Sequence, residues 1–137
     1  MGLDIGEKRI GVALSDADEI LATPLETIAY SDEDKAIETI IALIKNNDIG
    51  TVVVGLPYSL SGEAGFQANK VKEFTTKLLE HIDIDIQYQD ERLTTVTASN
   101  MLIEAGVKKS KRKEKLDAAA AAIILQAYLE GARYYGQ

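Results

Sequence analysis

The sequence predicts an α/β fold built on one mixed sheet, and three observations carry that prediction. The first thirty residues read as a meander of short alternating strands. Downstream of residue 31 the apolar spacing switches between helical and strand-like periods. Val52-Val53-Val54 has no polar alternation, as expected of a strand covered by helices on both faces.

Leu3-Asp4-Ile5-Gly6 reads as a short first strand, and Ile10, Val12 and Leu14 alternate as a second. The connection Gly6-Glu7-Lys8-Arg9 has hairpin length. Ile20 to Ile28 contains Pro24, which suits an edge strand because proline cannot donate to a ladder. Ser31 with Asp34 three residues on marks a helix start, and Ile37, Ile40, Ile41 and Ile44 follow at helical spacing. Gly50 ends that helix, and Thr51 to Leu56 forms the next strand. A polar loop through Ser59, Ser61, Gly62 and Gly65 leads to a helix marked by Val71, Phe74, Leu78 and Leu79. Ile82, Ile84, Ile86 and Tyr88 alternate as a further strand. Thr94 or Thr95 caps a helix with the stripe Ala98, Met101, Leu102 and Ala105, stopped by Gly106. Leu116, Ala120, Ile123, Ile124, Ala127 and Tyr128 mark the last helix. The order β-β-β-α-β-α-β-α-α gives an antiparallel three-stranded meander, then β-α-β crossovers, with helices packed on the sheet. No repeat or linker interrupts it, so a single domain over residues 1–137 is expected.

Composition narrows the chemistry. Cysteine is absent and His81 is the only histidine, which excludes thiolate and multi-histidine metal sites. No apolar run approaches the roughly 18 residues of a membrane span, and no signal segment opens the chain, so a cytoplasmic protein is expected. Net charge is −7, yet Lys108, Lys109, Lys111, Arg112, Lys113 and Lys115 fall within eight positions, opposed only by Glu114. Such a local patch can meet phosphate on an acidic protein, and it is equally what a solvated loop and helix start look like.

Three carboxylates stand out. Asp4 lies in a strand otherwise built of Leu and Ile, between Gly2 and Gly6. A carboxylate there needs a compensating cation, or it bonds the next turn as a strand-edge residue. Asp90-Glu91-Arg92 follows the strand ending near Tyr88, at the kind of strand end where α/β sites gather. Neighbouring strand residues face opposite ways, and Glu91 continues the polar phase of Asp83, Asp85, Gln87 and Gln89. Glu91 is therefore favoured as a ligand, with Asp90 a structural partner of Arg92. Asp117 precedes Ala118 to Ala122, whose small side chains let a helix sit close to a sheet. Read as the start of the last helix, Asp117 also has a simpler role in stabilising the helix dipole. Taken together, three acids without thiols suit a hard cation, Mg²⁺ or Mn²⁺, and two-metal phosphodiester cleavage.

The motifs also carry a resemblance. Gly2-Leu3-Asp4-Ile5-Gly6 with Lys8-Arg9-Ile10-Gly11-Val12-Ala13, then Val54-Gly55-Leu56-Pro57, Gly62-Glu63 with Gln67-Ala68, Asp90-Glu91-Arg92-Leu93-Thr94-Thr95 and Lys115-Leu116-Asp117 occur in this order over nearly the whole chain. The set resembles the YqgF/RuvX family of Holliday junction resolvase-like proteins in the RNase H-like superfamily. The resemblance implies an RNase H-like fold and a divalent-metal nuclease with Asp4, Glu91 and Asp117 as catalytic metal ligands. It implies a role in maturation of pre-16S ribosomal RNA, on ribosomal precursor particles, or the cutting of structured DNA such as four-way junctions. RuvC-type enzymes use four acids, whereas three good candidates are found here. Lys8, Arg9 and Arg92 within the motifs, and Lys108, Lys109, Lys111, Arg112 and Lys113 in a flap-like basic segment, are the expected nucleic-acid contacts. A non-catalytic nucleic-acid-binding ribosome-assembly protein is the alternative from another class. A sugar-kinase-type ATPase is disfavoured, since those enzymes place two such domains around the nucleotide.

Overall fold

The computed structural model describes residues 1–57, 62–90 and 109–134. Within them, three strands open the chain: β1 (Gly2–Ile5), β2 (Arg9–Ser15) and β3 (Ala22–Ala29). Helix α1 (Glu33–Asn46) leads to β4 (Thr51–Leu56), and α2 (Gly62–His81) leads to β5 (Asp85–Asp90). A long helix, α3 (Lys109–Tyr134), follows. The strands form one sheet in the order β3-β2-β1-β4-β5. β1, β2 and β3 are antiparallel neighbours, whereas β4 is parallel to both β1 and β5. This is the meander followed by crossovers that the sequence predicts. The helix expected over 94–106 lies outside the described residues.

Alternation along β1 divides the molecule into two layers. Leu3 and Ile5 point into a core shared with Ile37, Ile40 and Ile44 of α1 and Val71, Phe74 and Leu78 of α2. Gly2 faces the other way, where a side chain would strike the Ala121 carbonyl and Leu125 of α3. Ala13, Val53, Ala121, Ala122, Ile124, Leu125 and Leu129 form that second core. Val52 and Val54 belong to the first core and Val53 to the second, which explains the unbroken valine run.

Several boundaries differ from the sequence reading. α1 ends at Asn46, short of Gly50, and β3 begins at Ala22 rather than Ile20. Asp32, not Ser31, caps α1, its side chain accepting from the Lys35 amide. α2 begins at Gly62, so Gly65 is helical rather than part of the loop. β5 begins at Asp85 rather than Ile82, because Thr51, the first residue of β4, pairs with Asp85 and leaves Ile82 and Ile84 without a ladder partner. The largest difference is α3, which starts at Lys109. Asp117 therefore sits eight residues beyond its first residue, and the dipole role expected at a helix start does not apply. The basic run from Lys109 to Lys115 is helical, not a flap. Lysine, arginine and glutamate are all good helix formers, so propensity permits this without an apolar stripe.

β3 is an edge strand as expected, and its register with β2 shifts between Val12 and Ala13 beside Pro24. α3 is pinned to its start by Gln126, whose carbonyl accepts from the Ala22 amide (2.8 Å) and whose amide donates to the Ile20 carbonyl (3.0 Å). No described helix is long and apolar enough to cross a membrane.

On the α1/α2 side, Glu33 receives Lys77 and the Tyr30 hydroxyl (2.9 Å), and Tyr30 stacks edge-on against Phe74. Lys77 holds the Glu33 carboxyl below its ordinary value of 4.5, with burial opposing and Tyr30 assisting. A depressed folded value contributes stability above the unfolded one and loses it as pH falls through the folded value. Glu33→Gln should therefore lower the thermal midpoint at pH 7. The difference from wild type should close as pH drops below 4.5, a trend that calorimetry across pH 3–7 would follow.

Candidate functional site

Asp4 is the register partner of Gly11 across β1 and β2. Directly opposed residues of an antiparallel pair lie about 4.5–5.5 Å apart and share a face. Gly11 has no side chain, and the α3 backbone occupies the space one would need. A Cβ at position 11 would sit 1.8 Å from the Asp117 carbonyl oxygen and 2.2 Å from its carbon. α3 thus lies directly on β2 at Asp117, next to Asp4. The alanine run makes the approach feasible, since Ala118 to Ala122 are all buried.

The Asp117 side chain reaches the edge where β1 ends. Its Oδ2 accepts a 2.7 Å ion-paired hydrogen bond from Arg9 Nε, at the start of β2. The two side chains are 22% and 44% exposed, so solvent and a ligand can both reach the pair. Lys8 is exposed in the hairpin, and its carbonyl accepts from the Tyr30 amide. Moving along α3 from Ala121 to Asp117 runs from Gly2 toward Gly11. The turns from Lys109 to Asp117 continue that way for about 12 Å at 1.5 Å per residue. The helical run through Lys109, Lys111, Arg112 and Lys113 therefore starts on the carboxylate side of the sheet.

β4 and β5 finish at the same edge, with Leu56 opposite Asp90. Tyr88 faces α2, where its hydroxyl bonds Thr75 (2.7 Å). Asp90 shares the phase of Tyr88 and points to that layer, away from the face of Asp4. Gln87, paired with Val53, and Gln89 take the Asp4 face. Glu91, Arg92 and Lys108 lie outside the described residues. Among the described residues no group of three or more His, Asp or Glu side chains is gathered for a metal. Of the three acids, Asp4 and Asp117 lie among the described residues, and the Asp117 backbone rests on Gly11, the register partner of Asp4.

Two contributors had no assigned role in the sequence reading. Gly11 is the seat of Asp117. Gln67 of α2 donates to the Ile5 carbonyl (3.1 Å) and fixes the α1/α2 layer to the end of β1. Both lie in the motif set, but glycine in a strand also marks bulges, and a helical glutamine has no single meaning.

A family model described as RuvX, Holliday junction resolvase, matches residues 1–131. The chain belongs to the RuvX family. This RuvX chain is 45% identical over 133 residues to a Roseiflexus protein (strain RS-1), covering 97% of this chain and 94% of the relative. It is 48% identical over 132 residues to one from Sulfurihydrogenibium (strain YO3AOP1), covering 95% and 88%. Both carry the name "Putative pre-16S rRNA nuclease". Among solved structures, T. thermophilus RuvC in complex with a Holliday junction substrate aligns with TM-score 0.63 and 13% identity over 97% of this chain and 94% of that one. Fowlpox virus resolvase with junction DNA aligns at 0.56 and 12%, covering 95% of each. At these identities the likeness concerns the fold, which is the RNase H-like fold of the resolvases.

Proposed function

We propose that this chain is a divalent-metal-dependent nuclease that hydrolyses phosphodiester bonds in pre-16S ribosomal RNA, in the cytoplasm, with Asp4, Glu91 and Asp117 holding Mg²⁺ or Mn²⁺. The observation that carries this reading is the seating of Asp117 on Gly11, across from Asp4. A helix laid on a strand without the width of one side chain brings two acids from distant parts of the chain to one strand end. Glu91 is proposed as the third ligand because it continues, in the sequence, the polar alternation of Gln87 and Gln89. The relatives' name supplies the substrate.

The donor set fits a hard cation. It consists of carboxylate oxygens on a chain with no cysteine, and Asp117 already accepts a cationic partner in Arg9. When bound, such an ion lowers the pKa of a water and offsets charge on the phosphoryl oxygens. The chain's own residues do the rest. Asp4 and Asp117 fix the position of that charge on two rigid elements. Lys8 and Arg9 flank it from the hairpin and are suited to the scissile phosphate, and Lys109, Lys111, Arg112 and Lys113 to phosphates further along the strand. Arg92 joins them in this proposal. His81 ends α2, whereas the site lies near the α2 start, so histidine takes no part in proton transfer.

A second reading, a junction-cutting DNase, is favoured by the family's description. The two separate when a pre-16S RNA leader and a four-way DNA junction are incubated side by side with Mg²⁺, Mn²⁺ or EDTA. Metal-dependent cleavage of the RNA is expected. Preference for the junction would move the assignment to recombination, and binding without cleavage of either would leave a ribosome-assembly binding protein. Arg9→Ala should weaken RNA binding in EDTA by about 3–10-fold. It should also reduce the slope of log affinity against log salt by about 1, as loss of one phosphate contact does. Unchanged slope and affinity would assign Arg9 to Asp117 alone.

A further inference from the structure

Of the two phenylalanines, Phe74 is fully buried and Phe66 is 60% exposed. Phe66 lies in the second turn of α2, with Lys70 one turn on and its ammonium 4.8 Å from the ring centroid. α2 enters from the end of β4, so these turns lie at the edge where β1, β4 and β5 finish. Gln67, beside Phe66 in sequence, bonds the last carbonyl of β1, one residue past Asp4. Lys70 lines a hollow of about 240 Å³ with Ile5, Gly6, Glu7 and Tyr30. An exposed ring with a cation on it thus sits at the edge where β1 ends, on the α2 side of the sheet, with Asp4 and α3 on the other side of that edge.

We propose that Phe66 and Lys70 form a stacking platform for one unpaired nucleobase of the substrate strand, where that strand passes over the sheet edge from the Asp4 and Asp117 face to the α2 side. The inference rests on the nucleic-acid reading above and deepens it. A base has a flat, uncharged face that matches the Phe66 ring whatever its sequence, and the adjoining cation suits the flanking phosphodiester. The hollow itself holds Glu7, Glu33 and Glu73, and their charge disfavours a phosphate inside it. A base therefore fits the ring outside the hollow better than a phosphate fits within. The platform implies a substrate with an unpaired nucleotide near the cut, and so single-stranded RNA over a continuous duplex.

The test uses a short single-stranded RNA carrying 2-aminopurine and a matched strand with an abasic site at that position, both titrated in EDTA. Wild type should bind the base-bearing strand about tenfold more tightly than the abasic one and quench its fluorescence. Phe66→Ala should erase both the preference and the quench, and Phe66→Trp should restore them. Equal affinity of wild type for the two strands, or a preference kept by Phe66→Ala, would overturn the platform. Metal-dependent cleavage of the same strand is followed in parallel. Cleavage without base discrimination sinks the platform and leaves the nuclease intact, whereas absence of any RNA binding sinks both.

Discussion

Asp4→Asn should remove metal-dependent cleavage while leaving the fold and RNA binding in place. The substitution keeps the size and hydrogen-bonding capacity of the side chain and removes its negative charge. Losing a residue that merely orients a metal ligand costs about 10–100-fold, so losing a proposed ligand should cost at least about 100-fold in cleavage rate. RNA affinity in EDTA should stay within about threefold, because the phosphate contacts assigned to Lys8, Arg9 and the α3 basic run are untouched and one repulsive charge is gone. Single-turnover cleavage, binding titrations and circular dichroism on one preparation give the three readouts. Cleavage near the wild-type rate would remove Asp4 from the chemistry.

Gly11→Ala should be the most damaging change of a single methyl group. The added Cβ would lie 1.8 Å from a backbone oxygen, so a whole helix must move rather than one rotamer. Overpacking of this kind costs about 1–3 kcal/mol, and more where backbone is the obstacle. A fall in the thermal midpoint of roughly 5–12 °C follows for a chain of this size. The loss in cleavage should exceed that in folded population. A shift of about 1 Å in a positioned group costs on the order of 100-fold, and Asp117 is the residue displaced. Rates measured well below the variant's midpoint, with the folded fraction taken from the melt, separate the effects. A variant as stable as wild type would mean α3 is not seated on β2 as described.

Much of this arrangement is legible in the sequence, for reasons that differ between elements. The β5 phase is read correctly because Tyr88 and Ile86 are apolar while Asp85, Gln87 and Gln89 are not, so a period of two separates the faces. The alanine run predicts close packing because small side chains permit little else, and Ala121 against Gly2 bears this out. The start of α3 is not legible, since a charged run carries no apolar stripe and a lysine-rich helix reads like a lysine-rich loop. The β5 start is not legible either, because the length of its neighbour β4, not its own pattern, decides where pairing begins. The contact between Gly11 and Asp117 spans 106 residues, and neither residue signals the other. The two acids are conspicuous in the sequence, but their adjacency depends on the helix lying against the glycine.

The most direct measurement is a Mn²⁺ titration followed by amide NMR, since this ion broadens signals near where it binds. Selective loss of the Asp4, Gly11, Asp117 and Glu91 signals at low Mn²⁺, abolished by Asp4→Asn and reversed by EDTA, is the expected result. Broadening centred elsewhere, such as the acidic turn at Asp16–Glu19 beyond the far end of β2, would contradict a metal site at the end of β1.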